Sequence, residues 1–360
     1  MALTKIISES LVAKIRAAFG PSTEVVLLSS LAGDASSRRY YRVQLTGPQA
    51  PPSVIVMEVP AGLSLPLSSE ELAIFKQAPK ELPFLNLHRF LTAIGVRVPR
   101  LFGQWESEGV LLLEDLGDTA LWDRVQGLTE SEILSWYQKA IDELLVLHIS
   151  GTRSRDDSCI AFQQRFDFRL YMWEFDHFIE YGLIKRPHSR VSHRTTEELR
   201  RAFTEIARRL ENHPACLNHR DYHSWNLMIH NDAVAVIDFQ DALLAPPQYD
   251  LASLLNDRVT DSIIQPNLEN HLLRYYIAQR AEREKYPVSQ DEFFEIYLLS
   301  AIQRDLKVVG RFYYLDIVKG KPGYKRFIPA TVGRLKRNLA RLPQTEGLLP
   351  ILTEHFEEMR

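Results

Sequence analysis

The stretch Leu217-Asn218-His219-Arg220-Asp221-Tyr222-His223-Ser224-Trp225-Asn226-Leu227, followed after a short gap by Val236-Ile237-Asp238-Phe239-Gln240-Asp241, decides how this chain is read. It sets an Asp, an Asn five residues later and a second Asp at the end of an apolar run. Phosphoryl transfer from a nucleotide needs these three polar groups. One carboxylate takes the proton of an attacking hydroxyl, while an amide oxygen and a second carboxylate hold the magnesium ions that bridge the phosphates. Asp221 is therefore the candidate base, and Asn226 and Asp238 are the candidate metal ligands. His219 to Ser224 is polar and aromatic without period, which reads as a loop. Asn226 to His230 and Ala233 to Phe239 read as short strands about an Asn231-Asp232 turn. A hairpin of this kind brings Asn226 and Asp238 to one edge, where they can share a cation.

The pattern His219-x-Asp221-x4-Asn226 followed by Ile237-Asp238-Phe239 resembles the catalytic and metal loops of the protein-kinase-like superfamily. The full string from His219 to Met228 is similar to the aminoglycoside and choline phosphotransferase branch, in which a second Asp three residues past the metal-binding one, here Asp241, is usual. Four further segments resemble the bacterial anomeric kinases of N-acetylmuramate and N-acetylglucosamine: Gly33 to Arg42, Phe239 to Ala242, Tyr249 to Asp257 and Gln303 to Gly310. Together they span about residues 33 to 310. The resemblance implies an α+β, two-lobed protein-kinase-like fold, with a small antiparallel-sheet N-lobe over residues 1–116 and a mostly helical C-lobe over 117–360. It implies a hinge near 114–117, with Glu114 and Leu116 beside the adenine, and ATP and Mg2+ as cofactors.

Length and composition agree with such an enzyme. A chain of 360 residues with 45% hydrophobic content buries a large core and divides readily into two lobes. Its 43 basic and 46 acidic side chains leave a net charge of −3 without a single-sign block, so bulk charge recruits neither nucleic acid nor an anionic membrane. Cys159 and Cys216 stand outside any metal-ligand spacing, and a reducing compartment is the default. Met1 to Phe19 carries Lys5, Glu9, Lys14 and Arg16 and has no unbroken apolar run, so the expectation is a cytoplasmic protein with neither signal peptide nor membrane span. No long heptad argues for a dimer, and a monomer is expected.

Periodicity fills in the elements. An amphipathic helix from Thr4 to Phe19 stops at Gly20-Pro21; strands follow at Glu24 to Ser30, Arg39 to Leu45 and Ser53 to Val59. Phe84 to Ile94 reads as a helix and Val110 to Glu114 as a buried strand. Beyond Thr129 helical period dominates: Glu130 to His148, Arg165 to Tyr181, Thr195 to Glu211, Asn267 to Glu284, Gln290 to Tyr314 and Arg326 to Arg341. The turn between the first two strands would lie over the phosphates, with Gly33, Asp34, Ser36 and Ser37 offering backbone amides and hydroxyls. The third strand of a kinase N-lobe normally carries a phosphate-pairing Lys, yet Met57 stands there and no Lys occurs between Lys14 and Lys76. Arg38 and Arg39 are the nearest substitutes, since a guanidinium clamps phosphate oxygens with paired donors.

His219 reads as a residue that fixes the loop rather than a proton carrier. Asp250, in the first turn of a helix after Pro246-Pro247, reads as a partner that holds the loop from below. In the resembling family the helix Phe166 to His177 and the segment Arg304 to Lys307 face the acceptor. Trp173 and Glu174 could grip a sugar, and Arg304 or Lys307 a lactyl carboxylate. The expected activity is transfer to the anomeric hydroxyl of N-acetylmuramate or N-acetylglucosamine, the first step of cell-wall sugar recycling. The alternatives are a kinase of another small hydroxyl compound, such as an aminoglycoside, choline or a homoserine-like amine, and a catalytically dead nucleotide-binding regulator.

Overall fold

A computed structural model of the chain describes residues 8–31, 38–59, 81–186, 189–285, 288–342, 345 and 347–359. The amino-terminal part is a sheet of five antiparallel strands: β1 (Glu24–Ser30), β2 (Arg39–Thr46), β3 (Ser53–Glu58), β4 (Leu101–Trp105) and β5 (Val110–Glu114), in the order β1-β2-β3-β5-β4. The register pairs Tyr40 with Met57, and Met57 with Leu111. Alternation then gives each face its own core. Tyr41, Val43, Val54, Val56 and Leu112 pack with Ile15 and Phe19 of helix α1 (Glu9–Phe19) on one side. Met57, Leu111 and Leu113 face the other side and share a core with Phe84, Leu87 and Phe90 of α2 (Pro83–Ala93). That second core runs on without a break into the helical part of the molecule.

Strand β4 has no counterpart in the sequence reading. It is five residues long, and its pairing with β5 is interrupted by a register shift between Leu101 and Gly103. Gly103 lies under the Trp105 ring, where a Cβ would come within 2.5 Å of it.

The remainder is helical, with two small two-stranded sheets. Helix α3 (Glu130–Leu145) starts at a capping box between Thr129 and Glu132 and continues through wider π-helical turns at Val146–Gly151. Helix α4 (Phe168–His177) likewise runs on through π-helical turns to Ile184. After α5 (His193–Glu211), strand β6 (Cys216–Asn218) pairs with β9 (Leu243–Ala245), and β7 (Leu227–His230) pairs with β8 (Ala233–Val236). The second strand of this hairpin stops at Val236, earlier than the expected Phe239, because Asp238 takes a left-handed φ of 63° and turns the chain out of the ladder. Helices α6 (Gln248–Leu255), α7 (Pro266–Glu284), α8 (Gln290–Ile317), α9 (Ile328–Ala340) and α10 (Leu348–His355) complete the chain. No helix among the described residues is long and apolar enough to cross a membrane.

The long helix α8 is the spine of this half. It crosses the π-helical continuation of α4 so closely that a Cβ on Gly310 would meet Phe178 Cα at 2.7 Å and Phe178 N at 3.0 Å. Backbone lies on the far side, and no side chain can swing away to make room. Gly310→Ala should therefore lower stability by about 1–3 kcal/mol, the usual cost of overpacking, read as a reduced midpoint in urea with an unchanged slope.

Candidate active site

The loop between β6 and β7 is built on one buried carboxylate. Asp250, in the first turn of α6 and fully buried, accepts the backbone N–H of His219 at 2.7 Å through Oδ2 and that of Arg220 at 2.9 Å through Oδ1. Arg220 can then hold a φ of 79°, a left-handed conformation that an Arg adopts only when it is held there. The reversal points the Arg220 side chain inward and leaves Asp221 on the open side. His148 Nε2 stands 3.3 Å from Asp250 Oδ2, with its Nδ1 at 2.8 Å from the Tyr276 hydroxyl.

His219 ties this loop to the next. Its Nδ1 accepts the Asp221 N–H at 3.3 Å, so Nε2 carries the proton and donates to the Ile237 carbonyl at 2.9 Å, immediately before Asp238. Asn226 donates through Nδ2 to the Asp221 carbonyl at 3.0 Å, which directs Oδ1 the other way. The Asn226 carbonyl accepts the Ile237 N–H at 3.0 Å, so Asn226 and Asp238 flank the same end of the hairpin. Asp238 is exposed, and its Oδ1 accepts from Gln240 Nε2 at 2.9 Å. The next residue, Phe239, is buried and stacks on Phe84 of α2 with ring centroids 5.0 Å apart. Asp241 lies within the electrostatic reach of Arg220, Asp221, Asp238 and Arg38. Burial, with the two neighbouring carboxylates, pushes it up to about 6 against the pull of the arginines.

Asp221 itself is 38% exposed at the side chain, with Oδ1 3.6 Å from Arg304 Nη1. Burial alone would raise its carboxyl, but the charges of Lys307, Arg304 and Arg220 outweigh that and hold it well below the usual carboxylate range. Burial lowers the His223 imidazole against the upward pull of Asp257 and Asp221.

Several expected contacts are placed differently. Glu174 is not available to a sugar: it is 1% exposed, and it accepts from Arg220 at 3.1 Å, Gln303 at 2.7 Å and Lys307 at 3.0 Å. It is the counter-charge of the cations around Asp221. Arg304 is also buried. It donates to the Arg220 carbonyl at 2.9 Å and lies 5.0 Å from the Tyr249 ring centroid, supporting the loop from α8. Lys307 keeps 15% side-chain exposure beside Glu174. Trp173 is half-buried and stacked on His177, 5.6 Å between centroids. Arg38 hydrogen-bonds the Tyr40 hydroxyl beside Asp238 and Asp241. Arg39 is the opposite case, exposed and on the α1 side of the sheet, because β2 alternates and Tyr40 faces inward. Gly33, Asp34, Ser36 and Ser37 lie outside the described residues.

At the end of β5, the Glu114 carboxylate is engaged by the protein's own donors. It takes the fork of Arg97 at 2.8 and 2.9 Å and the Arg100 N–H at 3.0 Å. These partners overcome its burial and hold it down at about 2. Leu116 is buried two residues on. Asp115, between them, receives both Arg42 Nε at 2.7 Å and Nη2 at 2.9 Å, together with the Ser53 hydroxyl at 2.6 Å. Arg220, Gln303 and Arg42 carry no functional signal in the sequence. Only their partners in space distinguish them from surface polar residues.

The sequence pattern of the phosphotransferase enzyme family (APH) matches residues 28–286, well over half of the chain. The chain belongs to that family. It is 28% identical over 337 residues to the N-acetylmuramate/N-acetylglucosamine kinase of Pseudomonas aeruginosa, covering 92% of this chain and 88% of that protein. It is 30% identical over 319 residues to the protein of the same name from Caulobacter vibrioides, covering 83% and 84%. Among solved structures it resembles a choline kinase from Cryptosporidium parvum (TM-score 0.61, 12% identity, 97% and 99% covered). It also resembles the ADP-bound aminoglycoside phosphotransferase APH(2'')-Ib (TM-score 0.55, 15% identity, 90% and 97% covered). The protein is a phosphotransferase with the protein-kinase-like fold, as its loops led one to expect.

Asp250 is the support whose loss should be felt first. Asp250→Ala strips two buried N–H donors of their acceptor and frees the left-handed turn at Arg220. Stability should fall by about 2–6 kcal/mol, two donors at the usual cost of each, measured by denaturant unfolding.

Proposed function

We propose that the chain transfers the γ-phosphate of ATP, in a magnesium-dependent reaction, to the anomeric hydroxyl of an amino sugar, N-acetylmuramate or N-acetylglucosamine. Asp221 carries the reading. It is an ionised carboxylate, open on one side, on the same loop as Asn226 and linked through His219 to the strand end that presents Asp238. Asp221 accepts the proton of the acceptor hydroxyl as that oxygen attacks phosphorus, and Arg304 and Lys307 keep it ionised and oriented. The name shared by the relatives, matched over most of their length, supports the amino sugar as acceptor.

The donors fit magnesium. Asn226 Oδ1 and the Asp238 carboxylate are hard oxygens, and among the described residues no group of three or more His, Cys, Asp or Glu could hold a metal unaided. A site left for phosphate oxygens and water to complete is one magnesium favours. Asn226 and Asp238 would hold the ion, which when bound neutralises charge on the transferred phosphate. Arg38, on the inward side beside Asp238, grips phosphate oxygens in place of the lysine that Met57 replaces. Three cations close to Asp221 also disfavour a polycationic acceptor.

A turnover assay with Mg-ATP against amino sugars, aminoglycosides and choline tests the reading; a preference for an amine, or no turnover at all, rejects it. Asp221→Asn should lower kcat by roughly a hundredfold to ten-thousandfold, the usual contribution of a general base, with ATP affinity nearly unchanged. Since the folded Asp221 is depressed, its charge adds stability above the unfolded value of about 4 and is withdrawn as the pH falls below it, so the stability gap between wild type and Asp221→Asn should narrow in acid.

Arg38→Ala should weaken ATP binding more than adenosine binding, because only ATP presents phosphates to a guanidinium. Arg39→Ala, on the other face of the sheet, should leave that ratio unmoved; calorimetry with the two ligands reads both variants.

A further inference from the structure

Within the electrostatic reach of His223, whose backbone N–H donates to the Asp221 carbonyl at 2.9 Å, lies a carboxylate with an oxygen that no donor satisfies. Asp257, just past the end of α6, is 8% exposed, and its Oδ2 has no hydrogen-bond partner among the described residues. It makes no ion pair with them either, although its backbone carbonyl is pinned by the N–H and hydroxyl of Thr260 at 3.1 and 2.9 Å. A buried carboxylate oxygen without a donor is costly, and a bound hydroxyl is one group that would complete it.

The neighbours say which ligand. Asp257, Asp221, Arg258 and Arg304 all act electrostatically on the His223 ring, so His223 lies within reach of both the proposed base and the unpaired acid. His223 Nε2 is 3.5 Å from the Asn226 amide nitrogen, a donor, so the ring proton sits on Nδ1. That Nδ1 is also buried without a partner. One unused donor and one unused acceptor are what a hydroxyl group satisfies, since it accepts and donates at once. An ammonium would fill the carboxylate alone and would meet the guanidinium groups of Arg258 and Arg304.

We infer that Asp257 and the Nδ1 edge of His223 form a hydroxyl-binding subsite beside Asp221 that grips a second, non-reacting hydroxyl of the acceptor. This rests on the reading of the acceptor as a sugar phosphorylated at Asp221. Asp257 is thereby a specificity residue: it selects a polyol over a compound with one hydroxyl.

The test pairs wild type and Asp257→Asn with N-acetylglucosamine and with its analogues deoxygenated at each non-reacting hydroxyl in turn. With wild type, one analogue should lose roughly tenfold to a hundredfold in kcat/KM, the size of a lost hydrogen bond to a charged group. In Asp257→Asn the parent sugar should show a similar rise in KM, the selective penalty for that analogue should vanish, and the KM for ATP should move less than twofold. The deoxy series with wild type alone keeps the test decisive if the variant does not fold. Equal treatment of every analogue by wild type overturns the inference, as does a variant with altered melting and an unmoved acceptor KM, which would mark an internal water at Asp257. Sugar turnover with either result overturns this inference alone; turnover of amines and of no sugar overturns the reading beneath it as well.

Discussion

The double acceptance of the His219 and Arg220 amides by Asp250 is the constraint on which the site hangs. Without it the loop would have to leave β6 in an extended or right-handed conformation, and Asp221 and Arg220 would exchange directions. With it, Arg220 is driven inward, where a guanidinium 2% exposed must find a counter-charge. Glu174 is that counter-charge, and its second oxygen takes Gln303. Lys307 and Arg304 arrive from the same helix α8, and their charges keep Asp221 ionised. One backbone reversal thus determines both where the proposed base points and how it is charged. A buried network of this kind is weak evidence for stability, because desolvation offsets the attraction, but removing one member strands the others.

The sheet reaches the site by apolar means. Met57 is fully buried in the core shared with α2, and Phe239 stacks on Phe84 of that same helix. The position of Asp238 is therefore linked to the sheet through a stack of rings rather than through an ion pair. The end of β5 is fixed differently, by charge: Arg42 forks Asp115, and Arg97 forks Glu114. The two paired arginine contacts fasten adjacent residues, which stiffens the chain where it leaves the sheet.

How much of this was legible follows from the range of the signal. The order Asp221, Asn226, Asp238 is local, and a hairpin turn at Asn231-Asp232, both left-handed at φ 52° and 57°, is written in the residues that tolerate that conformation. His219 and Asp250 were legible as supports because their positions at a loop head and a helix start carry meaning. Glu174 was misplaced because a charge on an amphipathic helix looks the same whether it meets solvent or a buried arginine three elements away. Arg39 was misplaced by one step of strand alternation. Strand β4 was missed because five residues with an interrupted ladder give no period. The partners of Arg220, Gln303 and Asp257 are set by packing between distant segments, about which a single sequence is silent.

The same packing bears on the acceptor's charge. Half-buried aromatic rings cluster between α4 with its π-helical continuation and α8, with His177 against Tyr181 at 4.7 Å and Tyr181 against Tyr314 at 5.0 Å. An aromatic box of this sort can hold a quaternary ammonium when its faces are free. Here they are engaged by the protein's own cations: Lys185 lies 4.7 Å from the Tyr181 centroid, and Arg311 and Lys319 lie 5.1 and 5.9 Å from that of Tyr314. A quaternary ammonium would have to displace them to use this box. The fold shared with a choline kinase is a common frame, and which acceptor such a frame takes is decided by the charges placed on it.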